Sequence, residues 1–326
     1  MIDSISIEKI GSFTVGGKRV TLSGLPCYEA QTNANASKRL VDPNGDFWTG
    51  QLYAQYIKLA KPQVQYPLLL WHGGGLTGSC WETTPDGREG WQMFFLRHGY
   101  DVYVSDAVER GRASWSRYPE IYTDKPMFRT YKQAWESFRI GPHYASDLTK
   151  CQPYPGSQYP LEAFELAMQQ AVPRWTCNNE AIQAAYDAYL AKVGPAIIIS
   201  HSQNGAFAAN AARHNPSCVK AIVFVEPAGL PTLDATNLAA IQDIPQLFVW
   251  GDNLDKYPTW AKNISGKDSF YKSARRYYDA LYLKNKQAKW VELPQIGIQG
   301  NCHMMMQDRN SDIIAEFIHT WLKQYW

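Results

Sequence analysis

The stretch Ile197-Ile198-Ile199-Ser200-His201-Ser202-Gln203-Asn204-Gly205-Ala206 sets a serine between an apolar run and a small-residue run. A serine on a sharp bend between a buried strand and a helix has its hydroxyl raised above the sheet, beside the positive end of the helix dipole. That arrangement suits attack on an acyl carbon, where negative charge develops on the carbonyl oxygen. The bend crowds the positions two before and two after the serine, here Ser200 and Asn204 rather than glycines, with Gly205 and Ala206 adjoining. The competing role for Ser202 is a helix N-cap. A nucleophilic serine also needs a base. Of the seven histidines, His303 and His319 follow Ser202 with room for an acid between them. His319 falls inside the amphipathic run Ser311 to Lys323, whereas His303 lies in a loop and can reach the bend. His303 is therefore the candidate base that deprotonates Ser202 and later protonates the leaving alcohol.

These side chains must be held by strands and helices. Apolar runs read as strands at Ile5 to Ile10, Val20 to Leu22, Gln51 to Leu59, Leu68 to Trp71 and Asp101 to Ser105. More follow at Ala196 to Ser200, Val219 to Val225, Gln246 to Trp250 and Lys289 to Leu293. The early ones alternate and suit an antiparallel start. The later ones are apolar throughout and separated by helical stretches, which predicts an α/β fold with a mostly parallel sheet covered on both faces. Glu89 to His98 reads as a helix closed by Gly99. Ile314, Phe317, Ile318 and Trp321 give the last helix one buried stripe.

About ninety residues separate the Asp101 and Ala196 strands, far more than one crossover helix needs. Twelve aromatics fall between Trp115 and Trp175. The expectation is a core of residues 1–112 and 179–326, with 113–178 inserted as a cap over the sheet's carboxyl edge, where such sheets bind ligands. The alternative is a packing excursion remote from any site.

Leu68-Leu69-Leu70-Trp71-His72-Gly73-Gly74-Gly75-Leu76-Thr77-Gly78 is a strand running into glycines. A loop of this type supplies one backbone N–H to an acyl oxyanion, and the residue after the nucleophile supplies the other. Gly74 and Gln203 are the candidate donors. Gly73, Gly75 and Gly78 also fit G-x-G-x-x-G, and Asp106 ends the next strand where a dinucleotide fold places its ribose-binding acid. A nicotinamide-dependent oxidoreductase is thus the rival enzyme, but Cys80 to Gly87 intervenes with turn residues where a helix should open. A non-catalytic binding protein of the same fold is the other alternative.

Where the serine sits on such a bend, the chain order is nucleophile, acid, histidine. Asp252 and Asp255 follow the strand Gln246 to Trp250, and Glu226 ends the strand Val219 to Val225. Residue types alone leave that choice open. The chain resembles a small branch of bacterial and fungal α/β-hydrolase esterases. The stretches that carry the resemblance are His72-Gly73 with Leu76-Thr77-Gly78, Trp81 to Arg88, Ser200-His201-Ser202-Gln203, Glu226-Pro227 and His303 to Asp308. The resemblance implies an α/β-hydrolase fold, ester hydrolysis and Glu226 as the acid. Some relatives carry adjacent cysteines where this chain has Gly74-Gly75.

Bulk composition narrows the partners. With 32 Lys and Arg against 30 acids and no basic block, nucleic-acid binding is not expected. The expected partner is a small ester or lactone, apolar and ring-bearing on the strength of the aromatic insert; a homodimer is left open. No metal-type cysteine pair occurs among the six cysteines and no cofactor is implied. Cys151 and Cys177 are read as free thiols, with a disulfide as the alternative. No apolar run is long enough for a bilayer, and Met1 to Ile5 lacks the pattern of a signal peptide. The expected compartment is the cytoplasm if Met1 is native, or a secreted or periplasmic one if it is not. Asn35-Ala36-Ser37 and Asn263-Ile264-Ser265 match the glycosylation pattern.

Overall fold

The structure is a computed structural model that describes residues 4–256, 258 and 270–326. Met1 and the Asn263 match lie outside the described residues, and Asn35 is exposed.

The central sheet has eight strands in the order β1-β4-β6-β5-β7-β8-β9-β10. In chain order these are β1 (Ile7–Leu22), β4 (Gly45–Leu59), β5 (Leu68–Trp71), β6 (Val102–Asp106), β7 (Ala196–His201), β8 (Val219–Val225), β9 (Gln246–Trp250) and β10 (Lys289–Glu292). A separate hairpin pairs β2 (Tyr28–Ala30) with β3 (Arg39–Val41). β1 and β4 pair antiparallel, β4 meets β6 antiparallel, and every pair from β6 to β10 is parallel.

The expected strands Ile5 to Ile10 and Val20 to Leu22 are one long β1. Gly16 and Gly17 lie between those runs; both adopt positive φ within the strand, and the register with β4 continues past them. A Cβ on Gly16 would stand 2.9 Å from the Ala185 Cα, so the helix below sits directly on that glycine.

Period-two alternation splits each central strand between two cores. Leu68, Leu70, Ile197, Ile199 and Val223 face one side, while Leu69, Trp71, Ile198, Ile222 and Phe224 face the other. Each is wholly buried, which stabilises the fold by roughly 1.5–3 kcal/mol for a side chain of that size. The first face is covered by α2 (Trp91–Arg97) and α9 (Ser311–Leu322), through Trp91, Phe95, Ile314, Ile318 and Trp321. The second is covered by α5 (Asn179–Val193), α6 (Asn204–His214) and α8 (Lys272–Tyr282). α1 (Ser79–Glu82) follows β5, and α7 (Ala235–Ile241) follows β8. Gly99 ends α2 at φ 82, as its position predicts.

The segment between β6 and α5 holds two short helices, α3 (Tyr131–Ser137) and α4 (Phe164–Gln169). α3 opens on a reciprocal cap: Thr130 Oγ1 accepts from Gln133 N, and Thr130 N donates to Gln133 Oε1. Trp135, Tyr159 and Phe164 join the first core beside the sheet, whereas Trp115, Tyr118 and Tyr122 gather around the buried Trp175. Cys151 and Cys177 are free thiols, and the Cys151 Sγ donates to the Ala145 carbonyl.

Candidate active site

β7 ends at His201 and α6 begins at Asn204, so Ser202 and Gln203 make the whole turn. Ser202 holds φ 52, a left-handed conformation that a non-glycine residue adopts only when its surroundings enforce it. Three bonds do so here. Ser202 N donates to the Val225 carbonyl at 3.0 Å, and the Ser202 carbonyl accepts from Gly205 N at 2.9 Å and Ala228 N at 2.8 Å. Ser200 is fully buried, and Asn204 fits because its Nδ2 donates to the Tyr186 hydroxyl at 2.6 Å. The glycine this bend requires is Gly205, where a Cβ would stand 2.5 Å from the Pro227 Cβ.

His303 lies between β10 and α9. Its N–H donates to the Phe138 carbonyl at 2.8 Å, and its ring packs near-parallel to the Phe138 ring at 5.8 Å. Asp308, wholly buried, accepts from Cys302 N and Asn301 Nδ2 and so fixes the loop ahead of His303. Burial pushes the Asp308 carboxyl up to about 6. The His303 Nε2 is 3.0 Å from Ser202 Oγ, and its Nδ1 is 2.6 Å from Glu226 Oε2. A carboxylate only accepts, so Nδ1 carries the proton and Nε2 is free to accept from the serine hydroxyl. Burial lowers the basicity of His303, although Glu226 opposes this.

Glu226 follows β8, also at positive φ, with its N–H on the Val249 carbonyl. Its Oε1 accepts from Gly251 N at 2.9 Å and from Arg139 Nη2. Burial works against the charge, but Arg139 and His303 outweigh it and hold the carboxyl at about 2. Glu226 is therefore the carboxylate on the histidine. Asp252 instead accepts from Asn301 N at 2.9 Å, and Asp255 pairs at the surface with Lys256. His319 lies away from the site, against the Tyr100 hydroxyl and the His98 ring.

The glycine loop wraps over this group. His72 is neutral, held down to about 4 by burial, with Nδ1 donating to the Gly73 carbonyl and Nε2 accepting from Ala107 N. A Cβ on Gly73 would stand 2.6 Å from His201 Nδ1, so the loop and the serine bend touch through a residue that must be bare. Gly74 and Gln203 both line the cavity above Ser202, and their backbone N–H groups have no acceptor among the described residues.

The three glycines have structural duties at odds with a dinucleotide loop. α1 is only four residues long, a Cβ on Gly78 would stand 2.3 Å from Val104 Cγ1, and Asp106 is engaged by Gly78 N and by Arg112. Asp106 anchors the loop and offers no open carboxylate to a ribose.

The cavity has a volume of about 720 Å³, within the range of small-ligand sites. Its apolar wall includes Leu76, Met127, Phe128, Phe138, Val172, Phe207 and Phe270. Of the twelve aromatics between Trp115 and Trp175, only Phe128 and Phe138 reach it; the others pack elsewhere. Arg139, Arg129 and Arg174 are site residues that the sequence did not reveal. They lie in an insert without repeat or motif, and only the fold brings them to the sheet edge.

The strand order, the covered parallel sheet and the serine bend define an α/β-hydrolase. No family model matches the chain. It is similar to the atomic-resolution structure of a novel bacterial esterase, at 31% identity over 99% of this chain and 98% of that one, with a TM-score of 0.83. It is also 28% identical over 330 residues, covering 86% of this chain and 88% of the relative, to the probable secreted lipase phiG of Fungal sp. (strain ATCC 74256). The chain belongs to the α/β-hydrolase esterases and is a hydrolase acting on esters.

Proposed function

We propose that the chain cleaves carboxylic esters or lactones through an acyl-enzyme on Ser202, with His303 as general base and acid and Glu226 as the orienting carboxylate. The observation that carries this is the unbroken relay from Ser202 Oγ to His303 Nε2 at 3.0 Å and from His303 Nδ1 to Glu226 Oε2 at 2.6 Å. His303 takes the serine proton as Oγ attacks the carbonyl. The Gly74 and Gln203 amides receive the oxyanion, and the alcohol departs with the proton from His303. Water then attacks the acyl-serine by the reverse proton path. Glu226, ionised because Arg139 keeps it so, stabilises the imidazolium in both steps.

Segment 113–178 acts as the cap: Met127, Phe128, Phe138 and Val172 come from it and supply much of the apolar wall. An acyl or alkoxy group with apolar carbons suits that wall. The secreted description of the fungal relative supports the secreted compartment over the cytoplasmic one. Among the described residues no helix is long and apolar enough to cross a membrane.

The test is turnover of p-nitrophenyl acetate and butyrate. Ser202→Ala should abolish it, Glu226→Gln should lower kcat by about a thousandfold or more, and Asp252→Asn should cost less than about tenfold. Turnover that survives Glu226→Gln but not Asp252→Asn assigns the acid wrongly here.

A further inference from the structure

Two cations line the cavity that ester hydrolysis as described does not use. Arg129 and Arg174 flank the glycine loop: Arg174 Nε is 3.5 Å from where a Cβ on Gly74 would stand, and Arg129 Nη1 is 3.9 Å from the same point on Gly75. A backbone bridge sets their chain stretches side by side, Met127 N to the Arg174 carbonyl at 2.7 Å and Arg174 N to the Met127 carbonyl at 3.0 Å.

Other arginines of residues 110–139 have acceptors. Arg139 pairs with Glu226, Arg112 with Asp106, and Arg110 donates to the Val108 and Glu109 carbonyls. Among the described residues, neither Arg129 nor Arg174 has a carboxylate or hydrogen-bond acceptor on its guanidinium. Arg129 lies over the Phe138 ring at 4.6 Å, and Glu180, the acid lining the cavity, forms no ion pair with either. Burial, with Arg174 adding to it, pushes the Arg129 guanidinium down to about 10, so it remains charged at neutral pH. Two adjoining, half-buried, unmatched cations weaken the fold unless an anion joins them. Guanidinium forks match a carboxylate in shape as well as charge.

We propose that Arg129 and Arg174 form a carboxylate-binding subsite, so that the ester this chain prefers carries a free carboxylate close to the scissile carbonyl. The inference takes its reaction from the role proposed for Ser202 and adds the substrate class. The cation pair binds the fixed charge while the apolar wall takes the intervening carbons. A competing duty for the arginines is to hold the oxyanion itself, which every ester forms.

Isosteric pairs separate the two. One pair sets the charge on the acyl side, mono-p-nitrophenyl glutarate against p-nitrophenyl pentanoate. The other sets it on the alcohol side, p-acetoxybenzoate against p-tolyl acetate. The readout is the ratio of kcat/KM for the charged over the neutral ester in wild type, Arg129→Met and Arg174→Met. In at least one pair the ratio should fall about tenfold or more in each variant, chiefly through KM, as for the loss of a charged hydrogen bond. Ratios that stay within about twofold in both pairs overturn the subsite, including when both esters slow together as an oxyanion role requires. Should the variants not fold, wild type decides: glutaramate must inhibit p-nitrophenyl butyrate hydrolysis about tenfold better than glutaramide, and equal inhibition overturns the proposal. If Ser202→Ala still turns over substrate while the ratio falls, the nucleophile is wrong and the subsite stands.

Discussion

Arg139→Met removes a guanidinium that is 5% exposed from a carboxylate that is 1% exposed. Holding the Glu226 carboxyl at about 2 instead of 4.5 favours its charged form by about 3 kcal/mol, at about 1.36 kcal/mol per pH unit. A depressed acid contributes stability that is present above its unfolded value and is lost as pH falls toward its folded one. Without Arg139, His303 is left to oppose the burial and the same carboxyl rises, so the variant loses at neutral pH and recovers part of the difference in acid. The expected loss is about 3–5 kcal/mol in urea unfolding at neutral pH, shrinking near pH ~4. Catalysis shifts too. Arg139 lowers the basicity of His303, so its removal moves the acid limb of kcat/KM for p-nitrophenyl butyrate to higher pH. Arg139→Lys keeps the charge and should sit between wild type and Met in both measurements. A loss below about 1 kcal/mol, or one equal at the two pH values, refutes Arg139 as the counter-ion of Glu226.

Gly73→Ala puts a methyl 2.6 Å from His201 Nδ1 and 3.1 Å from the Ser202 Cβ; kcat should fall about a hundredfold with the circular dichroism spectrum intact, and retention of activity would show that the loop yields. Because burial lowers His303 below its ordinary 6.5, wild-type kcat/KM should rise with pH through a midpoint under that value and level off by neutrality; a higher midpoint in the pH profile contradicts the environment described. Trp175→Ala opens a void among Trp115, Tyr118 and Tyr122 and should cost about 3–5 kcal/mol in equilibrium unfolding, whereas a loss under about 1 kcal/mol would mean that this aromatic knot does not hold the segment.

The parts of the site nearest to strand ends were the most legible. Ile197 to Ile199 announce a buried strand, and the small residues after Ser202 announce a helix, so the bend between them follows from local pattern. His303 followed by elimination and loop placement. Glu226 over Asp252 needed the family resemblance, because both carboxylates follow strands and only the turn at Gly251, packed against Asn301, decides which one faces the imidazole. Gly73, Gly75 and Gly78 fit two motifs equally as letters; the contacts of Gly78 with Val104 and Asp106 separate them, and those are tertiary. Arg139 was illegible. It lies in an insert of irregular backbone, 87 residues from its partner, and nothing periodic marks it. By composition the aromatics of the insert face the substrate, yet most satisfy one another, and composition cannot distinguish that from lining a cavity.

Ser202, Glu226 and Asp252 each stand just past a parallel strand, and the backbone N–H of the first two is tied to the next strand over. That ladder would survive exchange of residues 113–178 for another covering. The counter-ion Arg139 and the Phe138 carbonyl that steadies His303 would leave with the exchanged piece. A chimaera would keep Ser202 in place yet lose command of the His303 ring, so the cavity wall and the setting of that ring are inherited together.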